Sequence, residues 1–177
     1  MEGETLQLGR RPKEKYTQTL GIIKKMICRF IIFMAFNFAA LAIGGLFTSK
    51  GVPSDWYVGI VKAPWTPPGW VFGAAWTLIM ICFGVYMAYL WQVIENKNIL
   101  ISLYAVQWIL NTGWNPTFFY YHNVFAGLLL IIGLTALVGF FLFFYWPELK
   151  LKSTLILPYF IWLIIATSLN GYILLKN

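Results

Sequence analysis

The sequence has 177 residues, of which 60% are hydrophobic and only 11% are charged, and its mean hydropathy is +0.72. A soluble domain carries about 25% charged residues, so this chain has too few to cover a surface that faces water. The composition excludes an ordinary soluble protein and indicates that lipid surrounds much of the chain. The net charge of +7 is concentrated near the N-terminus, which fits a basic flank beside a membrane, and we expect no nucleic-acid binding.

Residues 1–26 form a basic N-terminal extension. Its first residues are polar and are predicted to be partly disordered. Tyr16, Leu20 and Ile23 recur at helical spacing in its second half, which indicates a helix at the membrane interface.

Residues 27–177 contain five apolar stretches that are each long enough for a transmembrane helix, which needs about 20 such residues. Short connections join the last four stretches, so neighbouring helices are expected to run antiparallel. The sequence therefore predicts an all-α integral membrane protein, a bundle of five transmembrane helices. The predicted spans are residues 27–47, 70–94, 99–119, 124–146 and 154–175.

The longest connection, residues 48–68, is predicted to be a structured lid over one end of the bundle. It contains four prolines, which restrict the backbone and lower the entropy cost of holding one shape. It also contains Trp56, Tyr57 and Trp65, and a long loop that is both aromatic and stiffened by proline is more typical of a lid than of a flexible linker. With five spans, ten of the 13 lysines and arginines lie on the N-terminal side and three on the lid side. For a bacterial plasma membrane, the positive-inside rule places the N-terminus in the cytoplasm and this long connection outside.

The predicted spans contain no aspartate, glutamate or histidine, which argues against an ion-coupled transporter and against acid–base catalysis. The single histidine, His122, is interpreted as a solvated turn residue. Cys28 and Cys82 are interpreted as small apolar residues, and we expect no metal site.

The polar and aromatic residues inside the spans form stripes at helical spacing. Buried amides commonly join membrane helices, and we assign Asn37 and Asn170 to that role. Several inward-facing indoles are hard to pack densely, which favours a pocket for a large, flat, apolar ligand. The stripes are Phe72, Trp76 and Phe83; Gln107, Asn111, Trp114 and Phe118; and Tyr159, Trp162, Ala166 and Asn170.

Three motifs resemble the translocator protein family, whose members are also known as tryptophan-rich sensory proteins. Residues 56–73 read WYVGIVKAPWTPPGWVFG and are followed by Trp76. Residues 107–114 fit the family's third helix, and residues 158–170 fit its fifth. The resemblance covers residues 27–175.

This resemblance implies a bundle of five helices, often a homodimer, in a bacterial plasma membrane or a mitochondrial outer membrane. It implies a sensor that binds protoporphyrin or haem, with sterols such as cholesterol as further ligands, and that needs no cofactor. It also points to a weak sterol-recognition pattern at Leu169, Tyr172 and Lys176. The implied ligand-binding residues are Trp56, Tyr57, Trp76, Asn111, Trp114, Trp162 and Ala166, and the stripe on the third span adds Gln107.

Two alternatives remain open at the level of sequence. One is an enzyme that degrades porphyrin in light, with Tyr57 and Trp162 as the oxidisable catalytic rings, as the resemblance implies for some members. The other is a transporter of porphyrin or sterol, although no aspartate or glutamate lies within the predicted spans to couple an ion.

Overall fold

The computed structural model describes residues 10–177, with side chains from Tyr16 onward. All regular structure in this range is helical. The α-helices are α1 (Arg10–Gly51), α2 (Asp55–Gly59), α3 (Gly69–Val93), α4 (Lys97–Asn115), α5 (Val124–Phe144), α6 (Trp146–Leu149) and α7 (Leu157–Lys176). A π-helix, Pro116–Tyr120, extends α4, and a 3-10 helix, Lys150–Ile156, precedes α7.

Four helical segments of the described chain are long and apolar enough to cross a membrane: Tyr16–Gly51, Gly69–Val93, Val124–Phe144 and Trp146–Lys176. They coincide with four of the five predicted spans. The remaining predicted span, residues 99–119, is also helical, but α4 is not among these four segments. Its buried residues include Gln107, Asn111 and Thr112, and such polar side chains lower the hydropathy of a helix.

Helix α1 is longer than the predicted first span. Its 42 residues correspond to about 63 Å of helix, whereas the apolar core of a membrane is about 30 Å thick. The helix passes through residue 26 without a break, and most side chains between Tyr16 and Lys25 are exposed. The disorder expected at the start of the N-terminal extension concerns residues that lie partly outside the described range, so it stays a prediction.

Local sequence explains where the other helices begin. Ser54, Asn96 and Asn123 precede α2, α4 and α5, and each side chain accepts a hydrogen bond from a backbone N–H in the first turn. Pro116 follows α4 and has no N–H to donate to a helical carbonyl, so the backbone widens there into the π-helix.

The core lies between the long helices, with α5 packed on α7, α1 on α3 and α4 on α5. Phe83, Tyr86 and Phe141 are fully buried at its centre, and the Tyr86 hydroxyl donates to the Phe141 carbonyl at 2.7 Å. This core joins helices from the whole chain. It therefore fixes the positions of the ends of α1, α4, α5 and α7 relative to the segment between α1 and α3.

Candidate functional site

The segment between α1 and α3 is held against the last helix at one end of the bundle. We call residues 52–68 the lid, since residues 48–51 of the predicted lid belong to α1. The side chain of Asn177 accepts a hydrogen bond from the Val61 N–H at 2.8 Å and donates to the Val61 carbonyl at 3.2 Å. The indole of Trp65 donates to Ser168 at 3.1 Å. The lid is therefore fastened to α7 by polar contacts near the surface.

Two rings of the lid, from α2, pack against rings of the π-helix and form what we call the lid-end cluster: Trp56, Tyr57, Phe118 and Phe119, with Trp114 of α4 against them. Trp56 meets Phe118 edge to face with ring centres 5.4 Å apart, and Tyr57 meets Phe119 in the same way at 5.4 Å. Trp114 stacks on Phe118 at 5.0 Å. The structure thus brings three of the predicted ligand-binding residues together.

A second group of predicted residues lies deeper, between α3, α4 and α7. The Trp76 ring contacts Tyr159 at 5.9 Å, and the Trp162 ring contacts Phe72 at 5.3 Å, both edge to face. The Gln107 amide nitrogen donates to the Tyr159 hydroxyl at 2.8 Å. We call this group the inner cluster. Ala166 of α7 is half-buried and packs against the main core nearby.

Polar atoms in this region have unused hydrogen-bonding capacity. The side-chain oxygen of Gln107 is buried and has no partner among the described residues. Asn111, one turn further along α4, is only 7% exposed, and its amide makes no hydrogen bond within the described chain. A buried polar group without a partner costs about 1–3 kcal/mol, which is tolerated mainly where a ligand or an ordered water supplies the missing bond.

Trp114 lies between the lid-end cluster and the main core, and its ring contacts both. Its indole N–H donates to Asn170 at 3.1 Å, and Asn170 donates in turn to the Val124 carbonyl at 2.9 Å. Asn37 likewise accepts from Tyr104 at 2.7 Å and donates to the Met80 carbonyl. Asn37 and Asn170 therefore join helices, as predicted.

The predicted sterol pattern lies on one stretch of α7, directly under the lid. Leu169 is buried, and Tyr172 is covered by the Trp65 ring at 5.3 Å. The Lys176 ammonium lies 6.0 Å from the Tyr172 ring centre. The sterol role of these residues stays a prediction.

Sequence reasoning missed two features of the described chain. The first is His122, whose ring stacks on Trp56 with centres 4.2 Å apart. The second is a wide apolar groove of about 860 Å³ between α5 and α7, which none of the predicted ligand-binding residues lines. The available sequence signal for the His122 contact was a histidine in a short turn beside an aromatic lid. The groove depends on how α5 and α7 cross.

These features define a class: a helical membrane protein in which a proline-rich aromatic lid closes over indoles and unpaired amides. A sequence model of the TspO/MBR family matches residues 32–175, and the chain belongs to this family. It is therefore a multi-pass integral membrane protein.

Individual relatives agree with the family match. The chain is 34% identical over 156 residues to the tryptophan-rich protein TspO of Archaeoglobus fulgidus, which covers 88% of this chain and 98% of that protein. It is 29% identical over 141 residues to the tryptophan-rich sensory protein of Cereibacter sphaeroides, covering 80% and 86%. It is 31% identical over 123 residues to the human translocator protein, covering 65% and 70%. The resemblance that the motifs predicted is confirmed.

Proposed function

We propose that the protein is a membrane sensor that binds a tetrapyrrole, protoporphyrin or haem, between the lid and the bundle, with sterols as further ligands. The observation that carries this proposal is the stripe Gln107, Asn111 and Trp114 on one face of α4. It combines two amides that have unused hydrogen-bonding capacity with an indole that contacts both the lid-end cluster and the main core. Flat apolar rings with a few polar edges are the ligand chemistry that such a surface fits best.

The proposal includes α4 as a fifth membrane span. Its far end lies beside the end of α1, since Thr48 donates to the Asn115 side chain at 2.8 Å. Its near end follows α3 after a short turn at the opposite end of the bundle. A helix that connects the two ends has to run the length of the bundle, and its polar residues Gln107, Asn111 and Thr112 face inward rather than toward lipid.

The ring-on-ring packing of the lid-end cluster implies that ligand entry requires movement of the lid. The lid has few buried residues, and its bonds to Ser168 and Asn177 lie at the surface. Such bonds contribute about 0.5–1.5 kcal/mol each, which is compatible with opening during binding.

The test is a titration of the purified protein with metal-free protoporphyrin, followed by the intrinsic tryptophan fluorescence. We expect saturable quenching with a dissociation constant of about 1 μM or lower, which corresponds to about −8 kcal/mol. Trp114→Phe should weaken binding by about fivefold or more, because it removes the indole between the lid-end cluster and the main core. Trp146→Phe, an exposed residue at the other end of the bundle, is the matched control and should bind like the wild type. A linear response without saturation would indicate simple partitioning and would refute the proposal.

A further inference from the structure

His122 is placed where it could touch a ligand of the lid-end cluster. It is the single histidine of the chain and lies in the turn between the π-helix and α5. Its imidazole stacks on Trp56 with an angle of 16° between the rings, and Trp56 contacts Phe118. The side chain is exposed, and neither ring nitrogen makes a hydrogen bond to the described residues. A nitrogen lone pair is therefore free beside the proposed tetrapyrrole site.

The backbone around His122 is tightly held. Its φ of 52° lies in the left-handed region, which few non-glycine residues adopt and in which histidine and asparagine are enriched. The N–H of Asn123 donates to the Thr117 carbonyl at 3.1 Å, and the N–H of Val124 donates to the carbonyl of His122 at 3.2 Å. The turn and the Trp56 stack together restrict the imidazole to a narrow range of positions, which is what a metal ligand requires.

Other side chains at this end of the bundle are poorer ligands for iron. Burial raises the pKa of the Tyr57 phenol, so the phenolate form is disfavoured. The Lys62 ammonium lies 4.6 Å from the Tyr57 ring centre, and an ammonium group has no lone pair to donate to iron. Cys28 and Cys82 lie on α1 and α3, away from the lid. A neutral imidazole is by contrast a common axial ligand of haem iron.

We propose that His122 is an axial ligand for the iron of a ferric tetrapyrrole held at the lid-end cluster. A ring nitrogen donates its lone pair to the iron, while Trp56 fixes the plane of the imidazole. The inference rests on the proposed tetrapyrrole site and goes beyond it, because it makes the site favour an iron tetrapyrrole over a metal-free one.

The test compares ferric haem with metal-free protoporphyrin on the purified full-length protein, using the haem absorption spectrum, electron paramagnetic resonance and equilibrium affinity. His122→Phe keeps an aromatic ring on Trp56 but removes the nitrogen, and His122→Asn keeps a residue that tolerates the left-handed backbone. We expect both variants to lose the spectral signature of histidine ligation and to bind haem about tenfold more weakly. Their affinity for metal-free protoporphyrin should stay within about threefold of the wild type.

The outcomes separate this inference from the proposed function. If both variants bind haem with the wild-type spectrum and affinity, His122 is not the ligand. If only His122→Asn is impaired, ring stacking rather than ligation explains the effect, and the inference is also overturned. If the wild-type protein binds protoporphyrin saturably but shows no histidine-ligated iron, the inference alone fails. If it binds neither compound, the proposed function fails as well.

Discussion

Tyr57 and Trp162 occupy different surroundings, although both are candidates for an oxidisable ring. Tyr57 is half-buried in the lid-end cluster, and Trp162 is only 7% exposed against Phe72 in the inner cluster. Because the two side chains lie in different clusters, substituting each of them tests the enzyme alternative independently.

If the protein degrades porphyrin, Tyr57→Phe and Trp162→Phe should each slow the loss of bound protoporphyrin under light, measured by its absorbance. Affinity should change by no more than a few-fold, because phenylalanine retains an aromatic ring and most of the volume. Trp146→Phe, at an exposed residue on the opposite end of the bundle, is the control and should degrade metal-free porphyrin at the wild-type rate. Wild-type rates in both aromatic variants, or a wild-type rate no faster than that of porphyrin in empty detergent micelles, would remove the enzyme alternative.

The individual site residues could be predicted only in part. Periodicity placed Gln107, Asn111 and Trp114 on one face of α4, and the structure shows them there. The stack of His122 on Trp56 joins residues that are far apart in the sequence, and the pairing of Val61 with Asn177 does the same. Such pairings depend on how the helix ends come together, and neither hydropathy nor helical spacing carries that information.

Among the helices, hydropathy predicted the positions of α3 and α5 to within two residues at each end. The prediction was wrong for the start of α1. Hydropathy marks where contact with lipid begins, whereas basic and polar residues extend the same helix into water. It also did not predict the π-helix after α4. That element follows from the missing N–H of Pro116, a local feature that a window average does not detect.

The lid is the element that should control the rate of ligand exchange. Asn177→Ala removes both hydrogen bonds to Val61, each of which contributes about 1 kcal/mol, and leaves the aromatic clusters intact. We expect protoporphyrin to dissociate about threefold to tenfold faster, as measured by stopped-flow fluorescence.

Asn98→Ala provides the matched control for this variant, since Asn98 is an exposed asparagine at the opposite end of the bundle. It should leave the dissociation rate unchanged. If Asn177→Ala also leaves the rate unchanged, the lid is not held by this contact or does not govern exchange.

At the level of the whole molecule, the two ends of the bundle have different chemistry. The lid end carries the aromatic clusters, while the opposite end carries Arg29 and Lys97, both near the Trp91 ring. Cations on an indole are typical of a membrane interface, where the ring lies among lipid headgroups. The N-terminal part of α1 extends beyond that opposite end, so it is separated from the proposed site by the length of the bundle.

Deletion of residues 1–22 should therefore leave the affinity for protoporphyrin within about threefold of that of the full chain. The same truncation should weaken attachment to vesicles that contain anionic lipid, because it removes most of the basic extension. A tenfold loss of affinity in a truncated protein with intact helical content would show that the extension contributes to the site, against this account.

The most direct measurement is an experimental structure of the protein in lipid nanodiscs with bound protoporphyrin. We expect density for the flat macrocycle beneath the lid, in contact with Trp56 and Trp114 and within hydrogen-bonding reach of the Asn111 amide. Density in the groove between α5 and α7 instead, with the rings of the lid-end cluster still packed on one another, would contradict it.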